Sequence, residues 1–254
     1  MLREIIKVLP LESYLYYADS AHCPYGEKSR EYVIDRAEAI TETLLERGAD
    51  IIVVACNTAT AAAISALRAK WPEIPFVGME PAVKPAALNT RSGVIGVLAT
   101  AGTLKGSKYL DLREKYSDKV KVVEHVGKGF VELVEKGILD GPEAEDTVRA
   151  SLRPLLDAGA DTIVLGCTHY PFLEEIIRSI AGPEVEIIDP APAVAAQVMR
   201  LYHPSDKDDT TRIAVLSSKK DIDGAMIYRL LAKNSETIDE HSSESMPSVT
   251  VVRG

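Results

Sequence analysis

Arg47–Thr58 reads RGADIIVVACNT, and Ala158–His169 reads AGADTIVLGCTH. The two copies start 111 positions apart (158 − 47) and share one plan: a Gly-Ala-Asp turn, a short apolar run, then a cysteine. The runs IIVVA and TIVLG are apolar throughout rather than alternating, the pattern of parallel strands buried on both faces. Cys56 and Cys167 therefore occupy equivalent places, each at the exit of a strand, in two similar units. A matched pair of thiols suits chemistry that needs one proton-transfer group on either side of a substrate.

Working outward, short apolar runs alternate with longer helical patterns. The pattern predicts strands at Tyr14–Ala18, Ile51–Ala55, Phe76–Gly78, Val94–Ala99, Lys121–His125, Thr162–Gly166, Glu186–Ile188 and Ile213–Leu216. It predicts helices at Ser29–Arg47, Ala59–Lys70, Leu104–Tyr116, Glu143–Ala158, Pro171–Ile180 and Ala193–Tyr202, with an amphipathic start at the N-terminus. Strand–helix alternation implies an α/β fold of two pseudo-symmetric, doubly wound lobes with mostly parallel sheets and a cleft between them. Ligands bind beyond the C-terminal ends of such strands, where both cysteines fall. The Pro/Ala-rich segment Glu80–Asn89 and the DPAP run at Asp189–Pro192 are the expected crossings. They divide the chain into a first lobe, 1–82 plus 193–254, and a second, 83–192. Asn234–Pro247 is polar and expected to be irregular, with a short strand at Val249–Val252.

Composition narrows the function classes. The chain has 254 residues, 46% of them apolar, and a net charge of −9 without a basic run, so nucleic acid is a poor partner. Three cysteines without C-x-x-C spacing argue against a disulfide scaffold or structural zinc and for a reducing compartment, hence a cytoplasmic expectation. No run of about 18 apolar residues predicts a membrane span, and no signal peptide is read at Met1–Glu4. No dinucleotide or P-loop glycine motif and no clustered His/Cys set is present, so no cofactor and no metal are expected.

In the first unit, Cys56-Asn57-Thr58 stands at a predicted helix start, where backbone N–H groups favour a thiolate and Asn57 and Thr58 add donors. The plain alternative is a buried cysteine with an Asn/Thr cap. In the second, Cys167-Thr168-His169-Tyr170-Pro171 repeats the arrangement with a titratable ring two residues on. Thr100 and Thr103 follow the strand VIGVLA and could hold an anion, or merely cap a helix. Asp19 with the turn Pro24-Tyr25-Gly26 reads almost as well as a solvated strand-end acid and an ordinary turn, and Glu135 reads first as a surface carboxylate near a helix C-terminus. Cys23 has no counterpart in the repeat and reads as incidental.

Three segments carry a family likeness: YADSAHCPYG at Tyr17–Gly26, ACNTATA at Ala55–Ala61 and GCTHYPFL at Gly166–Leu173. They resemble the glutamate racemases of the aspartate/glutamate racemase superfamily. Cys-Thr-His is typical of that branch, whereas aspartate racemases usually carry Glu where His169 stands. The resemblance implies cofactor-free interconversion of L- and D-glutamate, supplying D-glutamate for peptidoglycan. It makes Cys56 and Cys167 the acid/base thiols, with Asp19, Glu135 and His169 matching the groups that assist them. Pro24, Tyr25, Gly26, Asn57, Thr58, Thr100, Thr103 and Thr168 match substrate-contacting positions. Members are often homodimers. They also carry, ahead of the helix matching Leu2–Leu9, a strand ending in Asp-Ser-Gly. This chain starts at Met1, inside that helix, so a first lobe short of one strand beside Cys56, and impaired activity, are the expectation. Two rival readings remain. A malonate-type decarboxylase would keep only one of the cysteines. A non-catalytic binder, acting on DNA gyrase as some relatives do, has no mark in this sequence.

Overall fold

The computed structural model describes residues 1–202, 212–219 and 249–253. Nine strands are described: β1 (Ser13–Ala18), β2 (Ile52–Val54), β3 (Phe76–Gly78), β4 (Val94–Ala99), β5 (Lys121–Val126), β6 (Thr162–Gly166), β7 (Glu186–Ile188), β8 (Arg212–Ser217) and β9 (Val249–Arg253). The α-helices are α1 (Leu2–Val8), α2 (Arg30–Leu45), α3 (Asn57–Lys70), α4 (Val83–Asn89), α5 (Ala101–Leu104), α6 (Ser107–Tyr116), α7 (Phe130–Glu135), α8 (Gly141–Asp157), α9 (Glu174–Ala181) and α10 (Ala191–Leu201). Every described strand pair is parallel, in sheets ordered β1-β8-β9, β2-β3 and β5-β4-β6-β7. The α/β fold with parallel sheets is thus as the alternation implies. Among the described residues, no helix is long and apolar enough to cross a membrane.

The twelve-residue repeat is a repeat of backbone as well as of sequence. Helix α2 ends with Gly48 N–H bonded to Leu45 C=O and Ala49 N–H to Leu44 C=O. Helix α8 ends the same way, with Gly159 bonded to Leu156 and Ala160 to Leu155. Both are Schellman caps, whose C′ residue must take a left-handed conformation. Gly48 (φ 83°) and Gly159 (φ 86°) supply it. Each cap turns the chain into a strand, β2 or β6, that delivers its cysteine at the far end.

The two strands differ in cover. β6 is buried along its whole length, between β4 and β7. Leu98, Ile163 and Leu165 pack under α7, α8 and α9 in one core cluster, and Ile95, Val97 and Val164 pack under α4 and α6 in another. β2 is buried only at Ile52. It pairs with β3 on one side, and β1 pairs with β8 on one side. The other edges of β1 and β2 line the same cavity, of about 900 Å³, which continues to both cysteines. Burial on both faces, expected equally for both runs, therefore applies to β6 and not to β2.

Other departures have local causes. The segment Glu80–Asn89, read from the sequence only as a crossing, contains α4. Ala86, Ala87 and Leu88 are strong helix formers, and Pro85 sits in the first turn, where its missing N–H costs nothing. Helix α7 is not among the predicted elements; at six residues it is too short to show a period. The expected helix Leu104–Tyr116 is broken at Lys105–Gly106 into α5 and α6. The expected helix from Pro171 starts as a 3-10 turn, Tyr170–Leu173, and becomes α9 only at Glu174. The irregular stretch expected at Asn234–Pro247 lies outside the described residues.

Candidate active site

Cys56 is the N-cap of α3, and its sulfur accepts a hydrogen bond from Ala59 N–H at 3.4 Å. The next residues, Asn57 and Thr58, are already helical and buried. Thr58 Oγ1 lies 2.9 Å from Thr100 Oγ1 and 3.3 Å from Thr103 Oγ1, and the last two are 3.0 Å apart. Three hydroxyls from α3 and the start of α5 thus form one polar corner beside the first thiol. Gly26 backs onto it: a Cβ there would sit 3.1 Å from Thr100 Cβ. Asn57 is 3% exposed, and its side-chain Nδ2 and Oδ1 have no hydrogen-bond partner among the described residues. Buried amides are nearly always paired. This one borders the cavity and presents an open donor and acceptor to whatever polar group enters.

Cys167 leaves β6 into the turn Thr168-His169. The expected helix N-terminus at this thiol is replaced by the 3-10 turn, in which Tyr170 N–H donates to Cys167 C=O at 3.1 Å. His169 Nδ1 lies 3.8 Å from Cys167 Sγ, and His169 Nε2 lies 2.9 Å from Glu135 Oε1, at the end of α7. Glu135, His169 and Cys167 form a chain leading into the cavity. The hydrogen bond to His169 holds the Glu135 carboxyl below its usual range, against partial burial. Thr168 Oγ1 donates to Ala55 C=O at 3.2 Å, tying the turn that bears the second thiol to the end of the strand that bears the first.

Burial pushes the pKa of both thiols up, and at Cys167 the nearby Cys56 and Cys23 sulfurs add to the effect. Both are consequently protonated at neutral pH. Asp19 contacts neither thiol through a hydrogen bond. Its carboxylate takes Arg36 Nη2 at 2.6 Å and Nε at 3.1 Å and accepts the Tyr25 hydroxyl. Burial opposes its charge, but Arg36 and Tyr25 outweigh that and hold it ionised. The bond to Tyr25 ties this carboxylate to the turn at Pro24, which follows a cis peptide bond.

All thirteen candidate residues line one cavity, and Cys23, read from the sequence as incidental, borders it as well. Tyr16 and Arg36 belong to the same neighbourhood and carry no signal in the sequence. A charge partner for Asp19 can be sought on the helix beyond it, but which of its basic residues turns inward is a matter of tertiary packing.

A model of the Asp/Glu/hydantoin racemase family matches residues 1–198. The glutamate racemase of Ectopseudomonas mendocina is 52% identical over 201 residues, which cover 79% of this chain and 76% of that protein. The glutamate racemase of Roseiflexus sp. is likewise 52% identical over 201 residues, 79% of this chain and 74% of that one. Among solved structures, Escherichia coli glutamate racemase, in complex with L-glutamate and the activator UDP-MurNAc-Ala, superposes with a TM-score of 0.83 at 29% identity. That match covers 99% of this chain and 92% of that one. A Bacillus anthracis glutamate racemase gives 0.79 at 29% identity, covering 99% and 91%. With two thiols at equivalent strand ends in one cavity, and matches of this extent, the chain is an enzyme that belongs to the Asp/Glu/hydantoin racemase family.

Proposed function

We propose that the chain racemises glutamate without a cofactor, with Cys56 and Cys167 as the two bases, supplying D-glutamate for peptidoglycan. The observation that carries the reading is the pair of thiols at matched strand exits, Cys167 buried and Cys56 partly so, opening on one cavity. Inverting a carbon stereocentre needs a base on one face and an acid on the other. One thiolate takes the α-proton while the opposite thiol returns one, and the roles exchange in the reverse direction. The substrate named for the relatives, glutamate, fits the polar corner. Thr58, Thr100, Thr103 and the unpaired Asn57 amide can meet a carboxylate, and donors aimed there stabilise the charge that develops when the α-proton leaves.

Burial keeps both thiols neutral, so one must ionise when substrate binds. The substrate's ammonium group supplies the compensating charge in a cavity where water is largely displaced. His169 is placed to accept the Cys167 proton or to hold the resulting thiolate as an ion pair, and Glu135 steadies the imidazolium. The two-lobe division, 1–82 plus 193–254 against 83–192, belongs to the same proposal: each lobe brings one thiol, and Thr168 to Ala55 closes them together. Homodimer formation and a cytoplasmic location, expected from the resemblance and from the cysteine usage, belong to it as well.

The test is substitution of each thiol. Cys56→Ser and Cys167→Ser should each lower racemisation of L- and D-glutamate, measured by circular dichroism, by at least about 10³-fold with folding intact. Turnover within tenfold of wild type in either variant would remove that cysteine from the mechanism.

A further inference from the structure

Cys23 takes no part in the proposed reaction, yet it stands at the site. Together with Glu135 and His169 it places three ligand atoms, a thiol sulfur, a carboxylate oxygen and an imidazole nitrogen, within 4.8 Å of one another. The three come from distant parts of the chain: the loop after β1, the end of α7 and the turn after β6. The side chains of His169 and Glu135 are 24% and 33% exposed, and both line the cavity, so an ion can reach them.

We propose that Cys23, Glu135 and His169 form a reversible inhibitory site for a borderline-soft divalent cation, of which Zn²⁺ is the type. The donor set decides the class of metal. A thiolate with an imidazole selects zinc or cobalt over magnesium or calcium, which take oxygen ligands. Bond lengths of about 2.0–2.3 Å at tetrahedral angles put ligand atoms roughly 3.3–3.8 Å apart, so side-chain rotations of a few tenths of an ångström to about 1 Å suffice. His169 Nε2, already 2.9 Å from Glu135 Oε1, is the ring nitrogen for the ion. Nδ1 continues to face Cys167. A metal on Nε2 cannot share that nitrogen with a proton, so a set built on Cys167 alone would have to use the other side of the ring. On coordination the Cys23 thiol releases its proton to solvent and the sulfur donates its electron pair to the ion. No oxidation state changes, and the fourth position remains open to water.

The consequence for turnover rests on the roles proposed for His169 and Glu135. With both held by the ion, the imidazole can no longer become a protonated partner for a Cys167 thiolate, and Glu135 no longer steadies it.

The test uses the full chain purified with chelator and then titrated with CoCl₂ and ZnCl₂ alone. Co²⁺ should produce a thiolate-to-metal charge-transfer band in the near ultraviolet at one equivalent per chain, displaced by Zn²⁺. Cys23→Ala should lose that band and raise the Zn²⁺ concentration for half-inhibition of racemisation at least about tenfold, as expected for a lost ligand. In chelator its activity should equal wild type, which shows that it folds, and EDTA should restore the zinc-treated wild type. A band that persists in Cys23→Ala overturns the proposal, since the metal then sits on Cys56 or Cys167. Absence of any bound metal overturns it too. Binding that depends on Cys23 while turnover is untouched leaves a cation site but overturns its inhibitory action, and with it the assisting role of His169 and Glu135.

Discussion

Replacing Glu135 with Gln keeps the shape of the chain Glu135–His169–Cys167 and removes its charge. The two side chains meet at 2.9 Å, and Gln can still accept from His169 Nε2. A full ion pair at about 4 Å between charge centres is worth roughly 4 kcal/mol gross at an effective dielectric of 20. Glu135 is 33% exposed and His169 24%, so solvent screening and the desolvation of both partners cancel much of that. A net difference of about 1.4 kcal/mol remains, and only the part felt while Cys167 carries charge affects the rate. That corresponds to about a tenfold loss in kcat/KM. Because the two enantiomers have equal free energy in water, the loss must be the same for L- and D-glutamate, although kcat and KM separately need not move together. The assay is initial-rate polarimetry or circular dichroism in both directions, with a thermal melt as control. A kcat/KM within twofold of wild type would refute the electrostatic role of Glu135.

Asp161 holds the turn ahead of β4. It accepts from Thr90 Oγ1 at 2.5 Å, Ser92 N–H at 2.6 Å and Arg91 N–H at 2.7 Å. Burial raises its pKa, but these bonds prevail and bring it down from 3.8 to about 2. A depressed acid stabilises the fold above its unfolded pKa and loses that contribution as pH falls through the folded one. Asp161→Asn should therefore cost on the order of 1–2 kcal/mol at pH 7, after discounting for solvent, and the gap to wild type should close between pH about 4 and 2 in chemical denaturation. A gap unchanged at pH 2 would contradict it. Thr60 is 2% exposed and joins the exits of two strands, donating to Val54 C=O and accepting from Met79 N–H, both at 3.1 Å. Thr60→Val strands both groups and should destabilise by about 2–4 kcal/mol in urea melts; a loss under 0.5 kcal/mol would show that they find other partners.

How much is legible in the sequence depends on physical scale. Strands announce themselves by runs of apolar residues, and Phe76–Gly78, Val94–Ala99, Thr162–Gly166 and Glu186–Ile188 are bounded as predicted. The twelve-residue repeat is legible because one local device, a glycine-closed Schellman cap, is used twice. The path of the chain beyond each cysteine is not. A regular helix begins at Asn57, but the turn after Cys167 is set by how Thr168 reaches Ala55 and how His169 reaches Glu135, contacts 113 and 34 residues away along the chain. The repeat also conceals a divergence: Asp161 organises a turn through three hydrogen bonds, whereas its counterpart Asp50 lines the cavity. Asp19 is legible as a site residue but its partner Arg36 is not, since only the packing of α2 brings that guanidinium inward.

The central claim is that two separate thiols serve the two faces of one carbon. The most direct test is the early time course in deuterated water, starting from each pure enantiomer, with mass spectrometry of separated L- and D-glutamate. Two bases predict deuterium in the newly formed enantiomer and none in the unconverted substrate at low conversion, in both directions. Deuterium appearing at equal rates in recovered substrate and in product would mean that one group serves both faces, and would contradict the assignment of Cys56 and Cys167.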